Sequence, residues 1–230
     1  MTHRLLALLL VLLVTSAAQA ATVSQGTRVT LMGDSEAFLL AWEFPRLAKQ
    51  TGAPFKSVVV PGSSVISWSR ELSREWARIR GLRPDVLLVS LGANDACTGP
   101  GVVGNEDRSI DHRPSFLQTF RAKLDRTKSK CVVWLGPPQV GAAHPRKDQC
   151  SLGLARPGLD LFVGMIRATG IPYFDARTIP VQLWDDQLHC SRPMHDRDPA
   201  HGCADWAAWV WQRLTTEDVC SAEPVSAGGP

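Results

Sequence analysis

The chain has 230 residues, 44% of them hydrophobic, with 25 basic and 22 acidic side chains for a net charge of +3. That length holds one α/β domain with a full core and is short for two. So small a charge excess argues for neither a nucleic-acid partner nor a charged polymer surface.

Residues 1–20 read as a cleaved export signal. Arg4 supplies a positive start, Leu5 to Val14 run apolar without a break, and Ala18-Gln19-Ala20 fits a small-x-small cleavage site. The apolar run is too short to span a bilayer, and no cysteine stands at the cleavage point to take a lipid. The expectation is a secreted or periplasmic protein with no membrane span after cleavage. Residues 21–220 should form a single domain, followed by a disordered tail over 221–230.

From Arg28 onward, strand and helix patterns alternate, which predicts βαβ units and a parallel sheet. The first strand is Arg28 to Met32, followed by a helix through Phe38, Trp42 and Leu47 that ends near Gly52. Phe55 to Val60 is the second strand. Trp68, Leu72, Trp76 and Ile79 then mark one apolar helix face, closed by Gly81. Asp85 to Leu91 is nearly all apolar, as for a strand covered on both sides. Gly99 to Arg113 reads as a loop. A helix through Phe116, Phe120 and Leu124 precedes the fourth strand, Cys131 to Leu135. A second loop runs from Gly136 through Pro157, then a helix from Leu159 to Ala168 and a short fifth strand, Pro172 to Phe174. Trp206, Val210 and Leu214 face the core from a last helix.

Chemistry is carried by the turns after the first three strands. Gly33-Asp34-Ser35 follows the first, Pro61-Gly62-Ser63-Ser64 the second and Gly92-Ala93-Asn94-Asp95 the third. In a parallel sheet all three emerge at one edge, where open α/β sheets place their ligand crevices. Ser35 is the candidate nucleophile; as an isolated residue it would equally serve as a helix cap. The backbone N–H groups of Ser35 and Gly62 and the Asn94 side-chain amide make three donors for a tetrahedral oxyanion.

This order, completed by a late Asp-x-x-His, resembles the SGNH (GDSL-type) hydrolase family over about Arg28 to Leu214. The resemblance implies a flavodoxin-like three-layer α/β/α sandwich with a parallel, mostly five-stranded sheet, and hydrolysis of acyl or acetyl esters without metal or cofactor. It makes Ser35 the nucleophile, with Ser35, Gly62 and Asn94 forming the oxyanion hole. A late histidine becomes the base and the aspartate three residues before it the orienter. Two such pairs occur, Asp186 with His189 and Asp198 with His201, and neither has the family's spacing to Gly202. Asp186 and His189 are favoured, because Leu188 fits the family's apolar position before the histidine. The chain departs from the family at Glu36, where Leu is usual. That carboxylate would repel anionic substrates or raise the base's pKa, or simply suit the first turn of a helix.

The implied substrate is a small-molecule or polysaccharide acyl ester, and the chain is expected to be a monomer. An O-acetyltransferase using the same triad and a non-catalytic carbohydrate-binding protein on the same fold are the competing readings. Trp68, Trp76, Trp206 and Trp209 are expected in the core, and Trp184, beside Asp186, is the one to test for substrate contact. All six cysteines lie beyond the signal, and an even count in an exported chain reads as disulfides. Assigning each to one edge of the sheet sets Cys131 with Cys220 and leaves Cys97, Cys150, Cys190 and Cys203 together at the other. Of the fifteen pairings six cysteines allow, the expected one is Cys190–Cys203, stapling the insertion before the last helix, with Cys97–Cys150 and Cys131–Cys220.

Overall fold

Five short parallel strands order the molecule: β1 (Val29–Gly33), β2 (Phe55–Val59), β3 (Val86–Ser90), β4 (Cys131–Leu135) and β5 (Tyr173–Phe174), in the sheet order β2-β1-β3-β4-β5. The computed structural model describes residues 23–96, 113–136, 160, 162–178 and 202–220. The expected export signal, the two expected long loops, the segment around both Asp-x-x-His pairs and the expected tail lie outside them.

Every residue of β1 and β3 is buried, because helices cover both faces of the sheet. One layer holds α1 (Ser35–Thr51) and α7 (Gly202–Thr216), which close over Leu31, Leu88 and Val133. The other holds α2 (Val65–Arg70), α3 (Ser73–Leu82), α5 (Arg113–Asp125) and α6 (residues 162–167), packed on Met32, Leu87 and Val89. A four-residue helix, α4 (Ala93–Ala96), follows β3. The expected three-layer sandwich with a five-stranded parallel sheet is what is observed.

The second core is aromatic. Trp68, Trp76, Phe120 and Trp134 form a chain of ring contacts at 5.6, 5.5 and 5.4 Å between centroids. All four are essentially inaccessible, so truncating any one should cost about 3–5 kcal/mol. Trp206 is buried as expected, while Trp209 is only partly covered, edge-on to Phe174.

Two local expectations need correction. The single helix read through Trp68 and Ile79 is two, broken at Glu71-Leu72. An unbroken helix would give the Trp68 carbonyl to the Leu72 amide. Instead it accepts from Trp76 Nε1 at 2.7 Å and Lys123 Nζ at 3.1 Å, and the Leu72 amide turns to the Ser67 carbonyl. Tertiary hydrogen bonds have replaced a helical one. Gly81 does not close α3; Arg83 does, in the left-handed conformation at φ 49°. The first helix runs through Phe38, Trp42 and Leu47 to Gly52 as expected, with Phe38 and Trp42 on its outer side, 39% and 60% exposed. The buried face of that helix is Ala37, Leu40, Phe44, Leu47 and Ala48, and it continues past Pro45.

Cys131 and Cys220 are joined, as the edge argument paired them, tying the start of β4 to the chain after α7. Cys203 is also disulfide-bonded. Its expected partner, Cys190, lies outside the described residues, as do Cys97 and Cys150.

Candidate active site

The strands run in level register, so Gly33 stands opposite Val59 on one side and Ser90 on the other. The turns after β1, β2 and β3 therefore leave the sheet at the same carboxyl edge. β1 and β3 are also where the strand order reverses direction, the position at which such sheets open a crevice.

Gly33 has φ 153°, and a Cβ there would run into the Ser90 carbonyl. Only glycine lets the chain leave β1 so close to β3. Asp34 then caps α1: its Oδ1 accepts from the Glu36 amide at 3.0 Å, and its own amide donates to the Ser90 carbonyl at 3.2 Å. Ser35 is the first residue of α1 and half-buried. It sits at the positive end of the helix dipole, where first-turn N–H groups point out of the helix end.

The second turn is built by Pro61-Gly62. The Ser63 amide donates back to the Val60 carbonyl at 3.1 Å, and Gly62 has φ 77°. Proline followed by a glycine of positive φ makes a type II turn. Gly62 is exposed and a Cβ on it would meet nothing within 4 Å, so its surroundings are open. Ser63 is buried and anchored through Oγ, which accepts from Trp68 Nε1 at 2.9 Å.

Asn94 joins the three turns. Its Nδ2 donates to the Ser63 carbonyl at 2.8 Å and lies 3.5 Å from Asp34 Oδ2. The first is a full hydrogen bond. The second is at the limit of one, which leaves that amide hydrogen able to turn toward a stronger acceptor. Asp95, buried beside it, accepts from the Val65 amide with both oxygens at 3.0 and 3.2 Å. It therefore fixes the end of β3 to the start of α2, and Asn94 to the loop that carries Gly62.

Three carboxyl groups are buried here: Asp34, Glu36 and Asp95. Burial pushes Asp34 up to about 7; the nearby Asp95 adds to this, and the amides of Glu36 and Ala37 oppose it. Glu36 does occupy the first turn of α1, but with its carboxyl inside the protein rather than in solvent. Asp34, Ser63 and Asp95 were all present in the sequence turns and had no role assigned there. Their adjacency to potential oxyanion donors was the available signal.

Ser35, Gly62 and Asn94 thus belong to three turns linked through Asp34, Asn94 and Ser63. Asp186, His189, Asp198, His201 and Trp184 lie outside the described residues. Among the described residues no group of three or more His, Cys, Asp or Glu side chains is placed to hold a metal ion.

No protein-family model and no curated protein sequence matches the chain. Solved structures do. Axe2, an acetylxylan esterase from Geobacillus stearothermophilus, is 15% identical with a TM-score of 0.57, over 87% of this chain and 99% of its own. LAE5, an alpha/beta hydrolase from the metagenome of Lake Arreo, Spain, is 18% identical with a TM-score of 0.55, over 84% and 96%. A protein assigned as an SGNH hydrolase from Slackia heliotrinireducens is 11% identical with a TM-score of 0.58, over 83% and 99%. Two variants of Axe2, one with a serine and one with an aspartate replaced by alanine, are described as catalytic mutants of that enzyme. At these identities the likeness speaks for architecture, and the architecture of this chain is that of the SGNH hydrolases.

Proposed function

We propose that the chain is an exported serine esterase that cleaves acyl or acetyl esters of a small molecule or polysaccharide. The observation that carries this reading is the Asn94 amide, which spans from the Ser63 carbonyl to Asp34. It makes one cluster of the turns bearing Ser35, Gly62 and Asn94. The shared fold with Axe2, an acetylxylan esterase with a catalytic serine and aspartate, supports the same chemistry. The disulfides at Cys131–Cys220 and at Cys203 suit an oxidising compartment, in keeping with an export signal over residues 1–20.

In the proposed reaction Ser35 Oγ attacks the ester carbonyl while His189, oriented by Asp186, takes its proton. The oxyanion is held by the Ser35 and Gly62 amides and by the Asn94 hydrogen released from Asp34. Collapse expels the alcohol, which takes the proton from the imidazolium. Water, activated by the same histidine, then frees Ser35 and the carboxylic acid.

Release of nitrophenol from short-chain nitrophenyl esters by the mature protein tests the reading. Ser35→Ala and His189→Ala should each abolish it, while His201→Ala retains it. The reverse result for the two histidines moves the base to His201 with Asp198. No release by the folded wild type on any ester rejects the esterase reading, and faster acetyl transfer to an added sugar than to water makes the protein a transferase.

A further inference from the structure

The edge of the sheet opposite Ser35 carries a cavity of about 360 Å³. It is formed where the chain enters β1, β3 and β4 and leaves α3 and α5. Six cations line it: Arg28, Arg80, Arg83, Arg126, Lys128 and Lys130. Among the described residues the only acid in the lining is Asp85, already occupied by Arg28 at 2.9 and 3.1 Å and by Lys130 at 3.2 Å. Those partners hold the Asp85 carboxyl well below the usual carboxylate range. Arg80, Arg83, Arg126 and Lys128 are exposed and have no carboxylate partner among the described residues. The lining holds five more positive than negative charges, in a chain whose whole excess is three. The near-neutral total conceals a strongly polarised molecule.

Helix ends account for a small part of this. The carboxyl ends of α3 and α5 favour cations, but two ends supply only about one negative charge between them. Backbone conformation adds an independent sign. Arg83 and Lys128, at φ 49° and 57°, are the only non-glycine residues of positive φ among those described. Glycine is the unstrained choice at such helix ends, and here both positions carry cations facing one cavity. Lys123 nearby has its ammonium pKa lowered, first by burial and then by Arg126 and Arg80, so the positive field is not locally compensated.

We propose that this cavity is a second binding site, which takes the carboxylate groups of an acidic glycan such as a uronic-acid oligomer. Guanidinium forks match carboxylates two bonds at a time. The volume suits one or two sugar rings, and the site is concave where a nucleic-acid duplex needs an extended face. No aromatic ring lines it to stack a base. Pro84, itself buried, is the only apolar residue in the lining, so nothing there inserts into a lipid layer. A glycan bound here leaves the Ser35 edge open.

Calorimetric titration of the mature protein with trigalacturonate tests this, with neutral xylotriose, inorganic phosphate and a short DNA duplex as comparison ligands. Trigalacturonate should bind and xylotriose should not, and the affinity should fall at least about tenfold between about 20 and 200 mM salt. The double variant Arg83→Gly/Lys128→Gly should weaken binding about tenfold or more with an unchanged or raised Tm, because glycine relieves both left-handed positions. Arg80→Gln/Arg126→Gln should do the same from within the helices or beside them. Nitrophenyl ester turnover should stay unchanged in both. Absence of saturable binding by the wild type, or full binding by both variants, overturns the site. Phosphate binding as tightly as trigalacturonate overturns the glycan assignment in favour of a single-anion site. Tighter binding of the duplex overturns it in favour of nucleic acid.

Discussion

The two edges of one sheet have opposite chemistry. At the carboxyl edge Asp34, Glu36 and Asp95 are buried, and Asp34 and Asp95 are spent on backbone amides that set the turns around Ser35. At the amino edge six of the seven charged groups are cationic and solvent-exposed, and among the described residues only Arg28 and Lys130 of these six are ion-paired, both with Asp85. A buried carboxylate must be hydrogen-bonded and so fixes geometry, whereas exposed cations constrain little and remain available to a ligand. The first edge is built for positioning, the second for attraction.

That contrast can be broken at several points. The largest effect should come from Ser35→Ala, with ester turnover falling roughly 10⁴-fold or more while thermal stability and acidic-glycan binding are retained. Loss of glycan binding in that variant would mean that the edges are not independent. Removing the disulfide with Cys131→Ser/Cys220→Ser opens a loop whose ends are 89 residues apart. Denaturant titration should show about 4–5 kcal/mol less stability, with kcat unchanged at temperatures where the variant is folded. Asn94→Ala should lower kcat by about 10²–10³ with little change in KM, the pattern for a group that acts in the transition state.

Asp34 makes the carboxyl edge sensitive to pH. Its pKa rises from 3.8 in a model peptide to about 7 in the folded protein, so the folded state keeps this proton where the unfolded chain has lost it. Its contribution to stability is complete below about pH 4 and disappears as pH rises through about 7. Stability should therefore decline by the order of 2 kcal/mol between about pH 5 and pH 8. Asp34→Asn, which keeps the capping oxygen, should flatten that decline in urea titrations at each pH. The smallest effect is expected from Gly62→Ala. Its Cβ meets nothing, so only the strain of φ 77° remains, about 1 kcal/mol by thermal melt.

Much of the carboxyl edge was legible in the sequence because local chemistry encodes it. Apolar runs of strand length led into Gly33, Pro61-Gly62 and Gly92, and each glycine was followed by polar side chains within one to three residues. Parallel topology then brought them to one edge without any further assumption. The break at Glu71-Leu72 was not legible, since it depends on Trp76 and Lys123 reaching the Trp68 carbonyl from other turns and helices. The exposure of Phe38 and Trp42 was hidden for a similar reason. Every side of α1 carries apolar residues, and the side that meets the sheet and α7 is chosen by packing.

By itself, then, the sequence determined the strands, their parallel order of turns and the identity of the residues around Ser35. Period and turn chemistry act over a few residues, and all of that information is local. Only the tertiary structure decided that Asp34, Asn94 and Ser63 touch, that Asp95 clamps α2, and that six scattered cations share one cavity. Those facts depend on residues tens of positions apart meeting across a sheet, and a nearly neutral total charge conceals where the charges lie.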